Sequence, residues 1–207
     1  QLRKPYQNQL QNNCVGLHVR RADAGVPRRP FRRFAAISEY LELLPLSFRQ
    51  DSNRTILLLT DDHTTIQEMN KYYSCSDAPF QNFVYIEKKR RDGIKGRFDY
   101  HIPEDSNGFQ ELLYILLELD LIQNCDTFVH GNSGYAMMIW DKMRLQGRTE
   151  EDRYHLVTTV TKKQARQHGS KEEREEALLA NIAATYSRGD KYGFHGCPTK
   201  NHNRRRR

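Results

Sequence analysis

The chain has 207 residues, 37% hydrophobic and 29% charged, with a formal net charge of +7. That length holds one good core or two small ones. No apolar run approaches the ~20 residues that span a bilayer, no signal peptide is visible, and four cysteines are too sparse for a disulfide scaffold, though one disulfide stays open. The basic excess falls in Arg28–Arg33, Lys88–Arg91 and the terminal Arg204–Arg207, and aromatics are not interleaved with these clusters in a recognisable RNA-binding pattern. This pattern favours solvated loops and a basic tail over a nucleic-acid-binding surface.

Residues 1–13 are polar, rich in Gln and Asn, and read as a linker or the end of a preceding element. With Gln1 at its start, the chain reads as a fragment or a processed form. Cys14–Val19 is a short aliphatic run that predicts a buried strand, and it turns abruptly into Arg20, Arg21 and Asp23. Side chains alternate along a strand, so His18 and Arg20 share one face and Val19 and Arg21 the other. Charges just beyond the carboxyl end of a strand face the ligand crevice of an open α/β sheet. Two guanidiniums there suit a diphosphate, since each offers a planar fork of donors and keeps its charge. The same pair serves equally to close a sheet edge through salt bridges with Asp23.

Gly25, Pro27 and Pro30 make Ala24–Arg33 a loop, and Ser38 is placed to cap a helix through Leu44 that Pro45 kinks or ends. Thr55–Thr60 is a second buried strand ending in Asp61-Asp62, followed by a helix from His63 to Tyr73. Phe83–Ile86 is a short third strand, and Lys88–Asp105 a long charged loop. From Gly108 to Asn124 the apolar positions are so dense that the helix is expected to be buried nearly all round, interrupted by Glu118 and Asp120. Thr127–His130 is a fourth strand, Gly131–Gly134 a glycine-rich turn, Tyr135–Met143 a helix, and Tyr154–Val160 a last strand. Strands alternating with helices predict a Rossmann-like, doubly wound parallel α/β sheet over 14–160. Residues 161–207 form a polar basic extension, with a capping box at Ser170 and Glu173 before a polar helix to about Tyr186.

Neither a P-loop nor a G-x-G-x-x-G follows any strand, and no D-x-D or metal-spaced His/Cys cluster occurs. Paired arginines in such a setting imply that protein donors neutralise phosphate charge. The Gly131–Gly134 turn adds backbone N–H groups and the Ser133 hydroxyl at a helix N-terminus, or is simply a tight strand-to-helix connection.

Three segments together resemble one family. Gly16-Leu17-His18-Val19-Arg20-Arg21-Ala22-Asp23 is similar to the H-x-R-R-x-D motif of the α1,6-fucosyltransferases that use GDP-fucose. Leu58-Leu59-Thr60-Asp61-Asp62 resembles their second motif, and Leu117 to Val129 with Ser133 their third, in matching order from about Cys14 to Thr159. The resemblance implies the nucleotide-sugar-binding half of a GT-B fold and metal-independent, inverting transfer of fucose to a glycan acceptor, an N-glycan core or a chitin-type oligosaccharide. It puts GDP-fucose against His18, Arg20, Arg21, Asp62, Glu118 and Ser133. His18 lies near the guanine, Arg20 on the β-phosphate, Glu118 at the guanine edge and Ser133 on the diphosphate. Arg20, Arg21 and Asp23 are the implied catalytic group. No cofactor, metal or nucleic acid is implied. The implied location is the lumenal side of the Golgi membrane, with any anchor in a segment preceding this one. Departures from the family are concrete: Ala24–Ser38 holds no carboxylate, so the general base has only Asp23 and Glu39 as nearest candidates, and one serine of the family's diphosphate pair is absent. Two other expectations stand beside transfer: an inactive relative that binds nucleotide or glycan, and a basic nucleic-acid-binding protein.

Overall fold

The computed structural model describes residues 4–10, 13–21, 35–49, 51, 53–73, 82–88 and 107–157. Asp23, the Arg28–Arg33 and Arg204–Arg207 clusters, most of the Lys88–Asp105 loop and the segment from Ser170 to Tyr186 lie outside these residues.

Five parallel strands form one sheet: β1 (Cys14–Val19), β2 (Thr55–Thr60), β3 (Asn82–Tyr85), β4 (Thr127–Gly131) and β5 (Arg153–Leu156), in the order β3-β2-β1-β4-β5. The helices are α1 (Lys4–Leu10), α2 (Ile37–Leu41), α3 (Leu46–Arg49), α4 (His63–Tyr73), α5 (Gly108–Ile122) and α6 (Gly134–Leu145). The alternation of side chains along β1 divides the core in two. Cys14 packs with Phe128, Leu57 and Leu59 under α5 and α6, where Trp140 and Ile122 are buried. Val15, Leu17 and Val19 pack with Ile56 and Leu58 under α2 and α4, against Ile37, Tyr40, Ile66 and Met69. Helices thus cover both faces, and the central strands β1 and β2 are largely apolar runs because neither of their faces meets water. This is the α/β, Rossmann-like, doubly wound arrangement expected from the sequence.

Gly16 lets α5 lie close to β1: a Cβ there would come within 2.7 Å of Ile122 Cγ1 and 2.9 Å of its Cδ1. A disulfide joins Cys14 at the start of β1 to Cys125 in the turn before β4, beside the hydrogen bond from Asp126 N–H to the Cys14 carbonyl.

Within residues 1–13, expected as a linker or the end of a preceding element, Lys4–Leu10 is helix α1, whose Leu10 enters the core under α5. Three local expectations are corrected. The N-cap residue of α2 is Ala36, not Ser38, which is buried two positions further on within the first turn; the Glu39 carboxylate reaches back to the Ala36 N–H at 3.1 Å. That helix ends at Leu41, before Pro45, and a separate short helix α3 follows. Helix α5 is not buried all round: Phe109, Leu112 and Leu116 are 67%, 49% and 52% exposed, while Leu117, Leu121 and Ile122 face the sheet. Residues spaced i, i+3, i+7 form one stripe of a helix, and composition does not tell the sheet-facing stripe from the outward one.

Candidate functional site at the strand-order reversal

In the order β3-β2-β1-β4-β5 the chain runs outward in one direction from β1 and returns to the other side with β4. Open α/β sheets bind ligands outside the carboxyl ends of the strands at such a reversal. The ends that flank it here are His18–Arg21 after β1 and Gly131–Ser133 after β4, with His18 in register with His130. Four of the sequence-predicted residues, His18, Arg20, Glu118 and Ser133, bear on this crevice, and the other two described ones brace it.

His18 is buried on the α5/α6 face, with its ring 5.6 Å from that of Tyr135 in an edge-on arrangement. Tyr135 lies in the first turn of α6 and donates its hydroxyl to Glu118 Oε2 at 3.4 Å. Glu118 is buried where α5 faces the sheet, and Lys88, just past β3, brings its ammonium to 2.6 Å from Oε1. Four separate elements therefore meet in the series His18, Tyr135, Glu118, Lys88. A carboxylate among leucines needs such partners, because an isolated buried charge is strongly unfavourable. Burial, reinforced by the Glu118 charge, also pushes the Tyr135 phenol well above its usual range, so it stays a hydrogen-bond donor.

Ser133 is the N-cap residue of α6, yet its hydroxyl does not cap the helix. Its Oγ is shielded from solvent and has no hydrogen-bond partner. The first N–H groups of a helix are orphan donors that favour an anion, and an unused hydroxyl beside them adds a further donor.

The two arginines have separated. Arg20 stays partly exposed at the end of β1, 3.9 Å from Asp61. Arg21 is 1% exposed and turned under α2 and α4. Its Nε and Nη2 donate to the Ala35 carbonyl at 3.1 and 2.7 Å, Nη2 pairs with Glu68, and Nη1 lies 4.0 Å from Asp62. Burial alone disfavours its charge, but Glu68 and Asp62 outweigh that and hold the guanidinium above its usual pKa. Asp62 is fully buried too, accepting from the Thr64 N–H at 3.0 Å and from the Thr64 and Thr65 hydroxyls at the start of α4. Asp62 and Arg21 thus support the strand ends from behind. Glu39, one candidate base, is engaged with the Ala36 N–H, and Asp23, the other, lies outside the described residues.

Sequence reasoning missed Lys88 and Tyr135, because neither stands in a motif and each is recruited by the fold. It also missed a second polar cluster on the β4–β5 side. His130 is stacked between Phe128 and His155, each 4.8 Å away. Its Nε2 accepts from Arg153 Nε at 2.8 Å while Nδ1 faces the Gly131 carbonyl at 2.9 Å, which fixes the neutral ring with its proton on Nδ1. Burial lowers its pKa to about 4; the Gly131 carbonyl opposes the fall and the charge of Arg153 adds to it. His155 in turn meets Asn132 Oδ1 at 2.7 Å, so this cluster holds the turn that carries Ser133.

Among the described residues no group of three or more His, Cys, Asp and Glu is placed to hold a metal ion. The fold and these residues define an α/β protein with polar side chains gathered at the strand-order reversal of a Rossmann-like sheet. No protein-family model matches the chain, and no curated protein matches its sequence.

Proposed function

We propose that the chain is the nucleotide-sugar-binding half of a GDP-fucose-dependent glycosyltransferase of the α1,6-fucosyltransferase type. The observation that carries the reading is the meeting, at one strand-order reversal, of Arg20 at the end of β1, a buried hydroxyl of Ser133 without a partner and the buried carboxylate of Glu118, joined to His18 through Tyr135. These are the donors a diphosphate requires and the acceptor a guanine edge requires. In this reading the bond from fucose C1 to the β-phosphate oxygen breaks and its electron pair leaves with GDP. A bond forms from the acceptor hydroxyl oxygen to C1, and the hydroxyl proton passes to a carboxylate, with Asp23 and Glu39 as the candidates. Arg20 stabilises the charge that grows on the departing phosphate more than the charge of the bound donor, which is what lowers a barrier. Arg21, with Asp62, acts as its support. The Cys14–Cys125 disulfide is consistent with an oxidising compartment such as the Golgi lumen. Among the described residues, no helix is long and apolar enough to cross a membrane.

The test is GDP affinity of the chain by calorimetry, and turnover of GDP-fucose on a glycan acceptor by a full-length enzyme that also carries the other half of the fold, for the wild type and for Arg20→Ala and Arg20→Lys. Loss of one preorganised donor lowers turnover by about 10²–10³. Lysine keeps the charge but not the fork, so Arg20→Lys is expected to be severely impaired as well. Near-normal turnover in Arg20→Ala removes the site. GDP binding without transfer leaves the inactive relative as the better reading. Nucleic-acid affinity that falls steeply with salt, in place of GDP binding, would favour the basic binding protein.

A further inference from the structure

Lys88 has no part in the reading above, yet its position is specific. It emerges just after β3, at the carboxyl end of the sheet, on the same face as α5. Its ammonium stands 2.6 Å from Glu118 Oε1 and is itself mostly buried, at 12% side-chain exposure. Glu118 Oε1 is shielded from solvent and accepts no well-aligned hydrogen bond, whereas Oε2 has the Tyr135 hydroxyl. The site therefore presents, side by side, a cationic donor and a carboxylate oxygen with acceptor capacity left over. A 6-oxo purine carries the complementary pattern on one edge, an acceptor at O6 beside a donor at N1–H, with the 2-amino group of guanine as a second donor. Adenine carries the reverse, an amino group facing the ammonium and a lone pair facing the carboxylate, so both contacts become unfavourable.

We propose that Lys88 is a specificity-determining residue that donates to the 6-oxo group of the nucleotide base while Glu118 accepts from N1–H and the 2-amino group. This rests on the assignment of the crevice as a guanine nucleotide site. The plain alternative is that Lys88 only neutralises a buried carboxylate. In that case replacing it weakens all purine nucleotides alike.

The experiment measures calorimetric affinities of the 207-residue chain for GDP, 6-thio-GDP, IDP and ADP. 6-Thio-GDP keeps N1–H and the 2-amino group but replaces O6 by a poor acceptor; IDP keeps O6 and N1–H but lacks the 2-amino group. The wild type is expected to prefer GDP to 6-thio-GDP and GDP to IDP by about tenfold each, the scale of a hydrogen bond to a charged group. In Lys88→Met the first preference disappears and the second survives, and in Glu118→Gln the second collapses. Lys88→Arg, which retains a charged donor, keeps both. Equal binding of GDP and 6-thio-GDP by the wild type overturns the role of Lys88 without needing any variant, and so does an unchanged preference in Lys88→Met. If no purine diphosphate binds the wild type, it is the nucleotide site itself that fails. That result is distinct from the loss of discrimination at O6.

Discussion

Adjacent arginines with opposite surroundings make a direct test of the site's construction. Replacing Arg21 with Met leaves a side chain of similar length but removes the partner of Glu68 and Asp62 and two hydrogen bonds to the Ala35 carbonyl. Breaking a buried ion pair by deleting one member destabilises by about 3–5 kcal/mol. Asp62 is fully buried, but Glu68 is 15% exposed and recovers some hydration, so the loss belongs near the lower end, about 3 kcal/mol. For a domain of this size that is a fall in Tm of about 6–12 °C. The assay is urea unfolding at neutral pH, read as a shift in midpoint at unchanged slope. A double-mutant cycle with Glu68→Met then reads a coupling of at least about 1 kcal/mol. Arg20→Ala in the same assay is expected within about 0.5 kcal/mol of wild type, since its ion pair with Asp61 is long and partly exposed. If Arg21→Met unfolds with wild-type stability, or its effect adds independently to that of Glu68→Met, the bracing argument is refuted.

The centre of the sheet was legible because β1 and β2 are short, largely aliphatic runs buried on both faces, with turn residues punctuating the chain between runs, whereas the edge strands β3 and β5 are only partly buried. The predicted bounds of β1 and β2 agree with the structure, and β3 is displaced by one residue, Asn82–Tyr85 in place of Phe83–Ile86. The outward stripe of α5 was not legible, because the sequence contains no mark of which apolar face has a neighbour. Within the site, His18 and Arg20 were readable from alternation along one strand, and Ser133 from its place between β4 and α6. The division of labour between Arg20 and Arg21 was only half readable. Alternation puts them on opposite faces, but Glu68 and Ala35, which hold Arg21, lie 47 and 14 residues away by number and enter through α4 and the approach to α2. The same holds for Lys88, whose partner Glu118 stands in a different element 30 positions later. Long-range pairing of polar groups is fixed by topology, and a sequence motif records only those members that happen to be neighbours in the chain.

Three further outcomes follow from packing and charge. Gly16→Ala places a Cβ against the fully buried Ile122, and overpacking of this kind is expected to cost about 1–3 kcal/mol in a denaturant melt; a neutral result would show that α5 can shift away from β1. Cys14→Ser with Cys125→Ser opens a loop whose ends are 111 residues apart. The chain-entropy model then gives a loss of up to about 4–5 kcal/mol, measured against the oxidised wild type, and an unchanged Tm on reduction would contradict it. The last outcome concerns pH and His130, whose pKa falls from 6.5 to about 4 on folding, chiefly through burial. The native state therefore binds fewer protons than the unfolded state between these two values, so stability is fully present above pH 6.5 and is lost as the pH falls toward 4. Between pH 7 and pH 5 the ring accounts for a loss of up to about 2 kcal/mol, at 1.36 kcal/mol per pH unit below 6.5. His155, whose pKa is also lowered, acts in the same direction but is more exposed and contributes less. In His130→Gln the amide retains an acceptor for Arg153 and a donor for the Gly131 carbonyl but cannot titrate. Urea melts at the two pH values should show a distinctly smaller pH-dependent loss in this variant than in the wild type, and equal losses in both would show that His130 is not the group responsible.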